Sequence, residues 1–290
     1  RMRSYYPDGF AYPVRYDGWG VAHEENPNAH HMTRMYHPLM RADSVQDIEA
    51  YPWPDFEGMD FSYLQPRVDE IHGRGLAVFV WAECTVWETA WYLRGMENLF
   101  VDMVGDREMA ARLLDVVTDR ACYRVRKFAA AGADILGLGD DIGMQRTPLM
   151  SLGMYREWLK PRLARVIAAA KAVAPDILIS YHSCGFVEPF IDDLIEVGVD
   201  ILNPVQPECM NFEALHKEYG RNLSFSGTIG TQQLMPYGTP GQIREEVWRN
   251  LESAGPAGGL FCTPTHKLAP EVPWDNVEAY VDAVKSFPVK

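Results

Sequence analysis

Over most of the chain, short apolar segments alternate with longer segments in which apolar residues recur every three or four positions. The short segments are apolar at consecutive positions, which is typical of strands in a parallel sheet covered on both faces. They predict six strands, at residues 75–83, 133–139, 176–182, 199–204, 222–228 and 258–263. The longer segments predict helices at residues 106–131, 151–174, 187–197, 211–219, 240–253 and 273–286. Ser151 and Asn211 are expected to cap two of these helices at the N-terminal end.

Strands that alternate with helices predict an α/β fold, either a (β/α) barrel or an open sheet with helices on both faces. The polar residues favour the barrel, because they gather at or just after the C-terminal ends of the predicted strands. They are Glu83, Asp140, Asp141, His182, Cys184, Asn203, Thr228, Cys262 and His266. A barrel brings these strand ends together on one face, where TIM-barrel enzymes hold their active sites. We therefore predict a TIM (β/α)8-type barrel.

Six strands are two fewer than a TIM barrel contains, so we expect the barrel to be incomplete at the N-terminus. Residues 12–20 are a candidate for one further strand. Residues 1–50 are rich in Tyr, His, Pro and Asn, and we expect them to form an irregular arm or lid. Residues 51–290 are then the barrel domain that carries the chemistry.

The charge of the chain excludes two classes of partner. Its 27 Lys and Arg against 40 Asp and Glu give a net charge of −13, which would repel nucleic acid and anionic membrane surfaces. The longest apolar segments, such as residues 76–82, have the length of a strand and are too short to span a membrane. Five cysteines cannot all pair, and no signal peptide is recognised, so we expect a reducing, cytoplasmic location.

The candidate metal ligands are His182, Cys184 and Cys262, each at or just after the end of a predicted strand. Imidazole and thiolate ligands together favour zinc. Three protein ligands would leave the fourth coordination position open, which is the arrangement of catalytic zinc sites. The alternative is a core histidine with two buried thiols, since a free cysteine packs as a small hydrophobic residue.

Three carboxylates are candidates for proton transfer. Asp140 and Asp141 follow the strand predicted at residues 133–139, and Glu83 ends the strand at 75–83. Such groups could act as general acids, complete the zinc coordination, or hold His182 through a hydrogen bond. The alternative for the two aspartates is a turn cap and a solvent-facing side chain, and the alternative for Glu83 is a cap or a helix-facing contact.

Three further side chains are candidates for substrate binding: His266, Tyr181 and Trp87. His266 follows Cys262 by four positions in a turn bounded by prolines, where it could contact a substrate or bond a neighbouring carbonyl. The aromatic residues lie near strand ends and could contact an aryl ligand or the face of a corrinoid. The alternative is that they belong to the core, where bulky aromatic side chains are usually found.

The chain resembles the uroporphyrinogen decarboxylase superfamily, and within it the branch of corrinoid-dependent methyltransferases. The motifs that carry the resemblance are WETAWYLRG at 87–95, LGDDIG at 138–143, YHSCG at 181–185, DILNPVQ at 200–206, GTIGTQ at 227–232 and TPTH at 263–266. The resemblance implies a TIM barrel and, as in the methyltransferases, a zinc ion held by His182, Cys184 and Cys262. The arginine-bearing N-terminal loop of the true decarboxylases is not found, so decarboxylation of uroporphyrinogen is not expected.

Taken with the resemblance, the residues predict a zinc-dependent methyltransferase that moves a methyl group between a small substrate and a corrinoid protein. Zinc could polarise the oxygen of a methyl ether, such as a methoxylated aromatic, or lower the pKa of a thiol acceptor. We favour ether demethylation because carboxylates surround the predicted zinc site. No corrinoid-binding module is recognised, so we expect the corrinoid (cobalamin) on a partner protein. The alternatives are a metal-independent decarboxylase or lyase acting through Asp141, and a non-catalytic barrel that binds a corrinoid protein.

Overall fold

The computed structural model describes residues 2–25, 34–82 and 84–288. The chain forms two compact units: unit 1 is Arg1–Leu136 with Glu157–Ile177, and unit 2 is Gly137–Arg156 with Leu178–Lys290. No helix in the described ranges combines the length and the apolar character that crossing a membrane requires.

Unit 1 begins with a small antiparallel sheet whose strands are β1 (Val14–Tyr16), β2 (Ala22–Glu24) and β3 (Met35–Tyr36). β2 lies in the centre and pairs with β1 and β3. The expectation that residues 12–20 supply a barrel strand is wrong, because β1 pairs within this separate sheet. Strands of two or three residues are too short to show a period of two in the sequence.

The six strands predicted for the barrel are all present, each shorter than its apolar segment. They are β4 (Phe79–Trp81), β5 (Ile135–Gly139), β6 (Leu178–His182), β7 (Ile201–Asn203), β8 (Ser224–Ser226) and β9 (Leu260–Phe261). They follow one another in chain order across a single sheet. From β6 to β9 the pairing is parallel, with helices in the connections. Parallel neighbours place their C-terminal ends at the same edge, where His182 and Asn203 end β6 and β7.

Twelve α-helices lie in the described residues. They are α1 (Val45–Ala50), α2 (Leu64–His72), α3 (Trp87–Arg94), α4 (Met96–Gly105), α5 (Arg107–Ala130), α6 (Leu152–Trp158), α7 (Lys160–Lys171), α8 (Ile191–Val197), α9 (Phe212–Tyr219), α10 (Leu234–Tyr237), α11 (Pro240–Ala254) and α12 (Trp274–Ser286). The helix predicted at 151–174 is two helices, because Pro161 starts a new helix in the first turn of α7. The predicted N-caps are confirmed: Ser151 Oγ accepts from Met154 N–H, and Asn211 Oδ1 accepts from Ala214 N–H.

The core of unit 2 includes a cluster of buried apolar residues to which α11 and α12 contribute. Its members are Ile229, Met235, Ile243, Val247, Cys262, Ala279 and Ala283. Trp248 and Tyr280 pack against it from the same two helices. This cluster fixes one face of the chain segment that follows β9, and so decides which side chains of that segment turn away from the core.

Candidate metal centre

The site is built where β6 ends. His182 is the last residue of β6, and Cys184 follows it by two positions. β5 lies close beside it, because a Cβ on Gly139 would lie 2.5 Å from the carbonyl oxygen of His182 and 2.8 Å from its Cβ. Only glycine allows this approach without a shift of the backbone. The close contact holds the main chain of His182 in place at the strand end.

A group of three potential ligands forms at this edge. Cys184 Sγ lies 3.4 Å from His182 Nε2. Among the residues that the structure describes, His182, Cys184 and His266 each offer one ligand atom, and the three atoms lie within 4.8 Å of one another. The rings of His182 and His266 have centroids 6.0 Å apart. His266, for which we predicted a substrate contact, thus stands beside the two predicted ligands of β6.

The turn that carries His266 is tied to the loop after β8. Thr265 N–H donates to the carbonyl of Ile229 at 2.9 Å, and Pro264 forms an isolated parallel bridge with Ile229. The hydroxyls of Thr265 and Thr231 lie 2.9 Å apart. These bonds continue the parallel pairing beyond β8 and β9. They set the position of His266 although it is outside any strand.

Cys262 is not in this group. Its neighbours Phe261 and Thr263 are exposed, whereas Cys262 is 8% exposed and belongs to the core cluster of unit 2. Side chains alternate between the two faces of an extended segment, so Cys262 turns to the helices when its neighbours turn away. Burial raises the pKa of the Cys262 thiol to about 11, although a hydrogen bond with the Thr228 side chain acts in the opposite direction. The role of Cys262 as a ligand stays a prediction.

Asp141 lies next to the group. Its Oδ1 accepts a hydrogen bond of 2.7 Å from the backbone N–H of Cys184, and the same atom is 3.9 Å from His182 Nε2. The side chain is 45% exposed, so solvent and a ligand can reach it. Asp141 therefore combines a contact to the loop of Cys184 with an accessible carboxylate.

Asp140 faces the interior instead. It is 4% exposed, and its backbone N–H donates to the carbonyl of His182 at 3.1 Å. Tyr181 is also buried, and its hydroxyl donates to the carbonyl of Asp140 at 3.3 Å. Both residues thus support the strand ends of β5 and β6, and their roles in proton transfer and substrate binding stay predictions.

Two other predicted site residues, Trp87 and Glu83, precede β5 in the chain. Trp87, at the start of α3, is fully buried and lies against Phe100 with 4.8 Å between ring centroids. Glu83 lies outside the described residues. A substrate contact of Trp87 and an acid or ligand role of Glu83 stay predictions.

Two features of the site are not predicted from the sequence. His266, predicted as a substrate contact, lies beside His182 and Cys184, and its turn gives no periodicity from which this direction could be read. Asn203 is predicted only as a polar strand-end residue, yet its Oδ1 lies 2.7 Å from His182 Nδ1. Its signal was available: His182 and Asn203 each end a strand, and strand ends of neighbouring parallel strands meet.

The donor set fits zinc. Two imidazoles and one thiolate are ligand types found in tetrahedral zinc sites. Zinc–nitrogen and zinc–sulfur bonds of the usual length would place the ligand atoms roughly 3.3–3.6 Å apart. The 3.4 Å between His182 and Cys184 already meets this, and His266 lies within 4.8 Å. A shift of His266 by about 1 Å would complete a three-ligand site.

Comparison with known proteins supports the family that the sequence motifs resemble. Residues 42–287 match the family described as Uroporphyrinogen decarboxylase (URO-D). A Methanosarcina mazei protein named methylated-thiol–coenzyme M methyltransferase is 27% identical over 266 residues, covering 87% of this chain and 66% of that protein. Uroporphyrinogen decarboxylase of Thermus thermophilus is 26% identical over 189 residues, covering 63% of this chain and 50% of that protein. The chain thus spans between half and two thirds of the length of these relatives.

A solved structure shows the fold. The structure of a methyltransferase from Methanosarcina mazei superposes with a TM-score of 0.68 at 20% identity, covering 88% of this chain and 72% of that one. The α/β fold of the TIM-barrel type that the strand and helix pattern predicts is thereby confirmed. The family match covers far more than half of the chain. The chain therefore belongs to the uroporphyrinogen decarboxylase family, and its resemblance to the methyltransferase branch is confirmed.

Proposed function

We propose that this protein is a zinc-dependent methyltransferase that moves a methyl group between a small substrate and a corrinoid protein. The observation that carries the proposal is the approach of His182, Cys184 and His266 to within 4.8 Å at the C-terminal edge of the parallel sheet. Active sites of TIM barrels are built at this edge. Three ligands at an accessible strand end suit a catalytic zinc with one open position, rather than a closed structural site.

In this proposal His182 and Cys184 hold zinc from the end of β6, and His266 holds it from the loop after β9. Zinc, when bound there, supplies a Lewis acid that favours the anionic form of a thiol or of a leaving oxygen. Gly139 and the Thr265–Ile229 bond fix the main chain that carries the ligands. The protein would thus hold the three ligands in place, and the fourth coordination position of the zinc would be left for the substrate.

Two substrate classes fit, and a separate observation favours each. Asp141 lies 3.9 Å from His182 Nε2 with an accessible carboxyl, which could deliver a proton to the oxygen that leaves when a methyl ether is cleaved. The relative from Methanosarcina mazei is named for a methylated thiol, and transfer to or from sulfur needs less help from an acid. We place the ether first because Asp141 stands at the site.

The test begins with metal analysis of the purified protein and of the Cys184→Ala variant. We expect about one zinc per chain in the parent and loss of zinc in the variant, with the fold retained by circular dichroism. Transfer is then assayed with chemically reduced cobalamin, cob(I)alamin, as the methyl acceptor in place of the corrinoid protein, using methoxylated aromatics in one panel and methylated thiols in another. Transfer in either panel that requires Cys184 supports the proposal.

The other functions predict different results. A protein without zinc that releases carbon dioxide from a carboxylated substrate, dependent on Asp141, would be a metal-independent decarboxylase or lyase. A protein that binds cobalamin or its carrier but shows no turnover in any panel would be a binding barrel. Either result overturns the proposed methyltransferase.

A further inference from the structure

The imidazole of His182 is bonded on the side away from the ligand group. His182 and Asn203 are direct partners in the parallel register of β6 and β7. Asn203 Oδ1 lies 2.7 Å from His182 Nδ1. The other ring nitrogen, Nε2, lies 3.4 Å from Cys184 Sγ. The ring thus lies between an amide oxygen on one side and the thiol on the other.

The amide of Asn203 is itself held in one orientation. Its Nδ2 donates to Ser226 Oγ at 3.2 Å, on the next strand, β8. Ser226 Oγ in turn lies 3.4 Å from Thr263 Oγ1, in the segment after β9. With Nδ2 used in this way, the atom that Asn203 turns to His182 is its oxygen, which can only accept a hydrogen bond.

Gly227 provides the space for this amide. A Cβ at Gly227 would lie 2.9 Å from Asn203 Nδ2 and 3.0 Å from Pro204 Cβ, and Gly227 has a φ of +75°. Both the contact distance and the backbone conformation therefore require glycine. The bond from Asn203 to His182 thus rests on a built environment across three adjacent strands.

An accepting oxygen at Nδ1 fixes the neutral imidazole in one tautomer. Nδ1 must carry the proton in order to donate to Asn203 Oδ1, and Nε2 then presents its lone pair. Nε2 is the nitrogen beside Cys184 Sγ, so the lone pair is turned toward the ligand group. In the opposite tautomer, Nδ1 and Asn203 Oδ1 would both be acceptors and would repel each other.

We propose that Asn203 is a positioning residue that holds the proton on His182 Nδ1 and thereby presents Nε2 as a metal ligand, with Ser226 orienting the Asn203 amide. The inference rests on the proposed zinc site, and it adds residues that do not touch the metal. Partners of this kind change metal affinity by about 10- to 100-fold when they are removed. An aspartate in place of Asn203 would also accept the hydrogen bond from Nδ1–H, and it would make Nε2 a more basic metal ligand.

The experiment compares Asn203→Ala, Asn203→Asp and Ser226→Ala with Asn222→Ala, a control at an exposed asparagine before β8. The first measurement is made on zinc-free protein labelled with 15N at histidine, at a pH where the imidazole is neutral. The second is zinc affinity, by competition with a chelator. The His182 signals are assigned with a His182→Gln variant.

In the parent we expect an unprotonated Nε2 on His182. The control Asn222→Ala should show the same tautomer and the same zinc affinity as the parent. Asn203→Ala should give a mixture of tautomers and bind zinc about 10- to 100-fold more weakly. Asn203→Asp should keep the tautomer and bind zinc at least as tightly as the parent. Ser226→Ala should lie between the parent and Asn203→Ala. Rescue by aspartate is the result that loss of packing alone cannot produce.

The two proposals fail in different ways. A parent protein with the expected tautomer and no affinity for zinc would overturn the proposed function and leave the hydrogen bond intact. A parent that binds zinc, with the tautomer and affinity unchanged in Asn203→Ala, would overturn the role of Asn203. If Asn203→Ala does not fold, Asn203→Asp decides: weaker zinc binding in that folded variant contradicts the inference.

Discussion

The carboxylate of Asp141 accepts a hydrogen bond of 2.7 Å from the backbone N–H of Cys184. This bond joins the loop after β5 to the loop after β6, both in unit 2. It places an accessible carboxyl beside the group formed by His182, Cys184 and His266. The same residue can thus orient the loop of a ligand and supply a proton, and substitution can separate these two roles.

Asp141→Asn is expected to slow demethylation of an aryl ether by roughly a hundredfold or more, the usual size of a general acid contribution. Asparagine keeps an oxygen that can accept from Cys184 N–H, so the loop and the metal content should change little. Transfer to a thiol needs no acid at the leaving group and should be affected much less. Steady-state rates with both substrate classes are the measurement.

Asp192→Asn is the control, because Asp192 lies at the start of α8 in the first turn. We expect parent rates from it. An ether rate that is insensitive to Asp141→Asn would remove the reason for placing the ether first, and the thiol substrate would then lead.

The third zinc ligand is decided by comparing His266→Ala with Cys262→Ala. His266 stands in the ligand group and Cys262 in the core cluster, so only His266→Ala should lose zinc. The loss should exceed the 10- to 100-fold effect of removing an outer partner. Cys262→Ala should keep zinc and lose on the order of 1 kcal/mol of stability, as small core truncations do. The opposite pattern would establish Cys262 as the ligand, as the sequence predicted.

The buried Cys262 thiol predicts a pH dependence of stability. Burial raises its pKa to about 11, above that of an exposed thiol, so the folded state favours the neutral form. The unfolded chain therefore loses this proton first. The contribution of the buried Cys262 thiol to the free energy of unfolding is fully present below about pH 8.5 and is lost as pH rises through about 11.

Denaturant unfolding of zinc-free parent and Cys262→Ala, at several values between pH 8 and 11, measures this effect. As the pH rises over this range, the free energy of unfolding of the parent should fall by about 2–3 kcal/mol relative to that of the variant, because the variant has no thiol to ionise at this position. Parallel curves for the two proteins would show that the Cys262 thiol ionises as readily in the folded state as in the unfolded chain.

Gly139 predicts a steric effect on the site. A Cβ at this position would lie 2.5 Å from the carbonyl oxygen of His182, so Gly139→Ala must displace β6 or β5. We expect zinc affinity to fall by at least tenfold, together with a loss of stability of about 1–3 kcal/mol, as for overpacking in a core. Gly153→Ala in α6 is the matched control, since its nearest atom would be Ser151 Oγ at 3.9 Å. Equal zinc affinity in the two variants would contradict the close packing of β5 on His182.

The sequence predicted the elements that depend on local pattern. Continuous apolar segments located all six strands of the main sheet, and Ser151 and Asn211 marked two helix starts that the structure confirms. The prediction for β1 as a barrel strand is wrong, because three residues carry too little pattern to show which sheet they join. The break between α6 and α7 was missed although Pro161 marks it.

The sequence by itself determined that His182 and Cys184 lie together, because both stand at the end of one strand and only one residue separates them. It also determined that polar groups gather at the strand ends, since parallel strands share their direction. Only the tertiary structure showed which further side chain lies beside His182 and Cys184. The alternation of faces turned Cys262 into the core with α11 and α12, and bonds from Thr265 to the loop after β8 brought His266 to the site. Both contacts join residues far apart in the chain, where local pattern carries no information about direction.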